Sequence, residues 1–167
     1  MTAQISEKLL FNGDVCSMCN EPLSMYFSLG GTNPVFQSNN TALGRGYIGS
    51  WEIIDNRLYM IGLSGNLKDG TEASLEMVFP GFPDRVFAHW YTGKVRLPQG
   101  KILDYVHAGY MSTYERDLFL HLEKGVITKT ELINNGESQN SGATDGYRIG
   151  AMTVFSLQHK NNAGEES

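Results

Sequence analysis

GYIGSWEIIDNRLYMIGL, residues 46–63, decides the fold. Two alternating apolar runs flank Asp55-Asn56, a pair suited to the left-handed backbone of a two-residue hairpin turn. With that turn, Trp51 falls opposite Met60 and Ile53 opposite Leu58, which makes one apolar face. Glu52, Ile54, Arg57 and Tyr59 share the other, mixed face. The period is that of a strand, so the segment reads as a half-buried antiparallel hairpin.

The same reading extends in both directions. EKLLFNGDVCSM (7–18) turns at Asn12-Gly13 and pairs Leu10 with Val15 and Leu9 with Cys16. EPLSMYF (21–27) cannot continue as a central strand past Pro22 and is a candidate helical turn, as is KILDYVHAG (101–109). Residues 28–44 are rich in Gly, Ser, Thr and Asn and read as a loop. SLEMVF (74–79) reads as a strand with Leu75, Met77 and Phe79 on one side. RVFAHWYTG (85–93) reads as a strand with Val86, Ala88 and Trp90 inward and Phe87, His89 and Tyr91 on the opposite face. KVRLP continues it past a bulge at Gly93. In DLFLHLEKGVITKTELI (117–133) a three-residue loop, Glu123-Lys124-Gly125, sets Leu122 against Val126, Leu120 against Thr128 and Leu118 against Thr130. YRIGAMTVFSLQ (147–158) is the last expected strand, after a polar loop. The expectation is a mainly β protein, a single-domain antiparallel β-sandwich or flattened barrel with at most one or two short helices. The domain covers 1–160, and 161–167 form a flexible tail.

Composition narrows the function classes. A chain of 167 residues with 41% hydrophobic and 19% charged side chains fits one globular domain. A formal net charge of −5 argues against general nucleic-acid binding, which needs a basic face. The acidic residues are scattered, whereas a nucleic-acid mimic or phage-type antagonist needs them ranked on one surface. No apolar run reaches the roughly 20 residues that span a bilayer, and MTAQISEKLLF lacks the pattern of a signal peptide, so no membrane association and a cytoplasmic location are expected. Cys16 and Cys19 form a lone CSMC without a second ligand pair and read as reduced thiols. The histidines show no HxH or HxxxH spacing, so no metal and no cofactor are expected.

The stretch 98–117 stands out. It lacks clear strand alternation and reads as a long loop, and long loops in compact domains are often functional. It carries Tyr105, His107, Tyr110, Tyr114, Glu115, Arg116 and Asp117, with Gly100 and Gly109 as hinges. Tyr and Arg offer large rigid contact area and directional hydrogen bonds. His107 suits an acid or base, with Glu115 or Asp117 to orient it. Arg116, and Arg96 on the neighbouring strand, suit an anionic group. His89 and Tyr91 would add a sheet face beside the loop. The first reading is a small cytoplasmic binding protein, of accessory, immunity or inhibitory type. It would recognise a protein partner or a small polar ligand through the 98–117 loop. The alternative is an enzyme acting on a small anionic substrate, a nucleotide or sugar derivative, with His107 as acid or base. Exposed edge strands also offer a homodimer contact.

Several pieces recur together: WEI at 51–53, WYTG at 90–93, RLPQG at 96–100, YVHAGY at 105–110 and YERDLF at 114–119. In this order they resemble a group of uncharacterised bacterial proteins across residues 8–133. The resemblance implies membership of that group and supplies no mechanism.

Overall fold

The computed structural model describes residues 3–107 and 109–137. The strand expected at 147–158, most of the polar loop before it and the tail at 161–167 lie outside the described residues. Elements run in the order β1 (Glu7–Phe11), β2 (Asp14–Met18), α1 (Pro22–Ser28), β3 (Tyr47–Ile54), β4 (Arg57–Gly65), α2 (Leu75–Val78), β5 (Val86–Phe87), β6 (Gly93–Asp104), β7 (Thr113–Glu123) and β8 (Val126–Asn134). The protein is mainly β, as its alternation requires. The strands form one sheet in the order β2-β1-β3-β4-β8-β7-β6, with β5 paired to β4. Among the described strands all pairings are antiparallel except β1 with β3, which run parallel.

The first two hairpins have the register their sequences specify. Leu9 pairs with Cys16 and Leu10 with Val15. Trp51 pairs with Met60 and Ile53 with Leu58. Asn12, Asp55 and Asn56 take φ of 53°, 51° and 62° in these turns, which side chains that tolerate the left-handed region allow.

β4 and β8 pair only over a short length. They share a single register pair, Arg57 with Val126, flanked by backbone bonds from Leu58 N to Gly125 O (2.9 Å) and Ile127 N to Asn56 O (2.7 Å). At the other end of the strand order the chain after β2 meets β6, where Cys19 N–H donates to Arg96 O at 2.9 Å. Among the described residues the sheet is not closed into a barrel. Between its two halves lies one core, built from Leu9, Met18, Trp51, Leu58, Met60, Val95, Leu97 and Leu120 among others.

Several expectations are corrected. The third hairpin has a two-residue turn, Lys124-Gly125, with Glu123 opposite Val126 and Leu122 opposite Ile127. A bulge between His121 and Leu122 then sets Leu120 against Thr130 and Leu118 against Leu132. The turn is pinned because Gly125 (φ 82°) packs where a Cβ would come within 2.6 Å of Ala88 O. SLEMVF contains α2, a helical turn. Ser74 Oγ accepts from Met77 N–H at 3.3 Å, and Leu75, Val78 and Phe79 are buried at helical spacing. The strand expected at 85–93 stops at Phe87. The chain turns at Ala88–Tyr91, with Tyr91 N–H donating to Ala88 O at 3.1 Å. The helical turn expected near Pro22 is present as α1, with proline in its first turn. The one expected at 101–109 is absent among the described residues, because β6 runs on to Asp104. The long loop is therefore only 105–112. Gly100 (φ 83°) permits the bulges that carry β6 past Gln99, since a Cβ there would meet Glu115 Oε1 and the Arg116 guanidinium.

Among the described residues no helix is long and apolar enough to cross a membrane.

Candidate functional site

The 105–112 loop joins β6 to β7 and is tied down from three sides. Arg96, on the face of β6 opposite Val95 and Leu97, donates through Nε to Asp117 Oδ1 (2.8 Å). Its Nη1 reaches Tyr110 O (2.6 Å) and its Nη2 reaches Ser112 O (2.8 Å). Its backbone N–H donates to Asn20 Oδ1 at 2.7 Å. A planar guanidinium fits this set of acceptors, so Arg96 acts as the clamp of the loop rather than as an open anion site. Ser112 Oγ accepts from Val106 N–H (2.9 Å), and Gln4 N–H donates to Gly109 O (2.9 Å).

The third tie is Tyr110. Its hydroxyl donates to Glu21 Oε2 at 2.7 Å and lies 3.3 Å from Ile5 O. Glu21, just before α1, lies 3.6 Å from Arg45 Nη1. Arg45 in turn pairs with Glu7, which has 0% exposure. Glu7 Oε2 accepts from Arg45 Nη2 (2.7 Å), Arg45 Nε (3.2 Å) and Gly49 N–H (2.9 Å). Glu7 Oε1 accepts from Trp51 Nε1 at 2.9 Å. Gly49 is required here, because a Cβ would strike the Glu7 carboxylate. Nearby, the hydroxyls of Ser24 and Tyr47 lie 3.0 Å apart.

Burial dominates the electrostatics of this cluster. It pushes the Glu7 carboxyl above its usual range, against the pull of Arg45 and the Gly49 and Trp51 donors. Burial also works against the charge of Arg45, but the adjacent Glu7 outweighs it and holds the guanidinium protonated. Desolvation pushes Tyr47 up to about 12. Tyr110 is pushed well above the ordinary phenol range, first by burial and then by its bond to Glu21. Both shifts favour the protonated phenol, and Tyr110 donates its proton to Glu21.

Beside the loop lies a cavity of about 50 Å³, lined by Ala3, Gln4, Cys19, Tyr105, Gly109, Tyr110, Ser112 and Tyr114. Three tyrosines expected from the sequence, Tyr105, Tyr110 and Tyr114, thus share one wall. His107 is exposed, and its Nδ1 lies 2.9 Å from Tyr105 Oη. No hydrogen bond joins His107 to Glu115 or Asp117 among the described residues. Glu115 accepts from Lys101 N–H (3.0 Å), with Arg116 Nη2 at 3.8 Å. Asp117 is held by Arg96 and by Asn135 Nδ2 (3.0 Å). His89 and Tyr91 belong elsewhere. They precede β6, whereas the loop follows it, and 12 residues of strand separate them. His89 is exposed beside Phe87 and Trp90. Tyr91 is buried, and its hydroxyl donates to Lys94 O at 2.9 Å. The shared face expected for them is absent because the chain turns at Ala88.

One residue escaped the sequence reading. Gln99 continues the inward phase of Val95 and Leu97 and is only 1% exposed. Neither its Nε2 nor its Oε1 has a hydrogen-bond partner among the described residues. Its register partner across the ladder is Arg116. The signal was available: the period of two that places Val95 and Leu97 inward also places Gln99 there. Glu7 was legible in the same way from Leu9 and Phe11.

Among the described residues no group of three or more His, Cys, Asp or Glu side chains is placed to hold a metal. Cys16 and Cys19 are free thiols, Cys16 buried and Cys19 in the cavity wall. Comparison with protein families, with curated proteins and with solved structures gave no match, so the site is read from its own chemistry.

Proposed function

We propose that this is a small binding protein whose ligand is a compact polar molecule held at the end of the sheet that the 105–112 loop covers. The observation that carries this reading is the tyrosine-walled cavity beside a loop pinned by Arg96 and Tyr110. A preformed pocket of this kind lowers the ordering cost of binding. Tyr105, Tyr110 and Tyr114 supply ring area and hydroxyl groups, and Ser112 adds a further polar group. In a cell the protein would serve as a cytoplasmic accessory, immunity-type or inhibitory factor. An enzyme of acid–base type is the second reading. It rests on the Tyr105–His107 pair at the cavity rim, and it loses Glu115 and Asp117 as orienting carboxylates because both are bonded elsewhere.

The test is native mass spectrometry of the full chain after incubation with the small-molecule fraction of a cell extract. A stoichiometric adduct on the native chain that is lost in Tyr114→Ala supports the reading. An adduct that survives in Tyr114→Ala, or no adduct at all, overturns it. Turnover of a detected ligand with a pH profile that changes in His107→Gln moves the assignment to the enzyme.

A further inference from the structure

We propose that residues 3–5 form a movable wall of the cavity, and that the site is entered when this strap lifts away from the 105–112 loop. The inference rests on the cavity as the binding site and adds how it is reached.

The walls of the cavity are unequally anchored. Tyr105, Gly109, Tyr110, Ser112 and Tyr114 stand on or beside the loop that Arg96 clamps. Cys19 is tied to β6 by its N–H bond to Arg96 O. Ala3 and Gln4 supply the remaining wall. Ala3 bridges Gly109 in parallel, and Gln4 N–H donates to Gly109 O at 2.9 Å. On its other side the strap is held to the short turn Thr41–Leu43 and to Gly44 after it. Ile5 N–H donates to Ala42 O (2.7 Å), Gln4 Nε2 donates to Thr41 O (2.8 Å) and Gly44 N–H donates to Gln4 Oε1 (3.1 Å). No residue of the strap belongs to the core, and Ile5 is 39% exposed. The frame begins two residues later at the fully buried Glu7.

Two physical arguments make the strap the wall that moves. The first is cost. The Gln4 side-chain bonds are exposed, and exposed bonds are exchanged for bonds to water at little net loss. Lifting the loop instead breaks the partly buried set around Arg96. A segment with few buried apolar contacts opens locally, without unfolding of the rest. The second is size. The cavity holds about 50 Å³. An apolar cavity of about 150 Å³ takes a benzene ring, so a ligand of more than a few heavy atoms enters this one only if a wall gives way.

The two cysteines supply the readout. Cys19 lines the cavity, whereas Cys16 is buried on β2 and does not line it. The first thiol reports access to the cavity and the second reports general unfolding. The full chain is treated with iodoacetamide, in which the thiolate sulfur displaces iodide from carbon, and alkylation at each cysteine is timed by peptide mass spectrometry. Gln4→Met keeps the side-chain volume in the wall and removes the bonds to Thr41 and Gly44. Ile5→Pro removes the N–H donor to Ala42 from a position outside the cavity. The expected result is a Cys19 rate about tenfold above native in each variant, equivalent to one net hydrogen bond, with the Cys16 rate unchanged. A Cys19 rate equal to native in both variants shows a wall that does not gate and overturns the proposal. Acceleration of Cys16 by the same factor shows opening of the whole fold and overturns it too. No ligand takes part in the readout, so either failure leaves the small-ligand reading in place.

Discussion

Glu7 and Gln99 are both buried on faces where the period of their strands demands apolar side chains, and they handle it in opposite ways. Glu7 has every oxygen engaged, by Arg45, Gly49 N–H and Trp51 Nε1. Gln99 has neither amide atom engaged. The first joins β1, β3 and, through Arg45 and Glu21, the 105–112 loop. The second joins nothing. A satisfied buried polar group specifies one packing arrangement, while an unsatisfied one is a standing cost. The two positions thus differ: Glu7 fixes the frame, and Gln99 is a buried polar side chain without a partner among the described residues.

The largest expected effect breaks the satisfied member. Glu7→Ala leaves Arg45 buried without its main partner and should cost roughly 3–5 kcal/mol, read as a shift of the urea midpoint. The double substitution Glu7→Leu with Arg45→Met should recover most of that loss. A cost under about 1 kcal/mol for Glu7→Ala would remove the distinction between the two sites. Next comes Gln99→Met, with the opposite sign. It should stabilise the unliganded protein by about 1–3 kcal/mol, since it removes two unpaired groups and keeps the volume. A loss of stability would mean that Gln99 is bonded in solution and belongs with Glu7.

A smaller and more local effect is expected at the clamp. Arg96→Lys keeps the charge but cannot reproduce the fork that binds Asp117 Oδ1, Tyr110 O and Ser112 O together. Amide exchange at Val106 and Gln4, whose N–H groups donate to Ser112 Oγ and Gly109 O, should speed up about tenfold, equivalent to roughly 1.4 kcal/mol of local opening. Exchange in the β3–β4 hairpin should stay unchanged. Equal acceleration in both places would show that the loop opens only with the whole fold.

Local rules explain what was legible. The turns at Asn12-Gly13 and Asp55-Asn56 set the expected pairs beside them, and a bulge at Ile61 shifts the β3–β4 register only beyond Trp51. The third hairpin misled because a bulge at Thr128 follows its two-residue turn, and Gly125 in that turn packs against Ala88, far away in sequence. SLEMVF misled because Leu75, Met77 and Phe79 alternate while Leu75, Val78 and Phe79 also have helical spacing, and a short run cannot separate the two. The 98–117 stretch was right about composition and wrong about length, because Gly100 lets β6 continue through a bulge. Tyr105, Tyr110 and Tyr114 do meet at one cavity. Their supporting partners, Glu21, Arg45 and Glu7, could not be read, since the bonds from Tyr110 to Glu21 and from Arg45 to Glu7 span 89 and 38 residues.

A last expected effect separates the two positions by pH, because Cys16 and Tyr47 around Glu7 titrate and Gln99 does not. Cys16 lies on β2 beside β1, and burial, with a lesser push from Asp14, raises its thiol from 9.0 to about 11. Tyr47 in the Glu7 cluster goes from 10.0 to about 12, again by burial first. In both groups the folded pKa exceeds the unfolded one, so the folded chain keeps a proton that the unfolded chain has released. Their contribution is therefore fully present below pH 9 and is lost as the pH rises through 11 and 12. Midpoints measured from pH 8 to 11 should fall, and Cys16→Ala should flatten the fall between 9 and 11. Gln99→Met should shift every midpoint by the same amount across that range, since no proton is gained or lost at an amide. A Gln99→Met increment that changes with pH would show that the two buried groups are coupled, and the contrast between them would then fail.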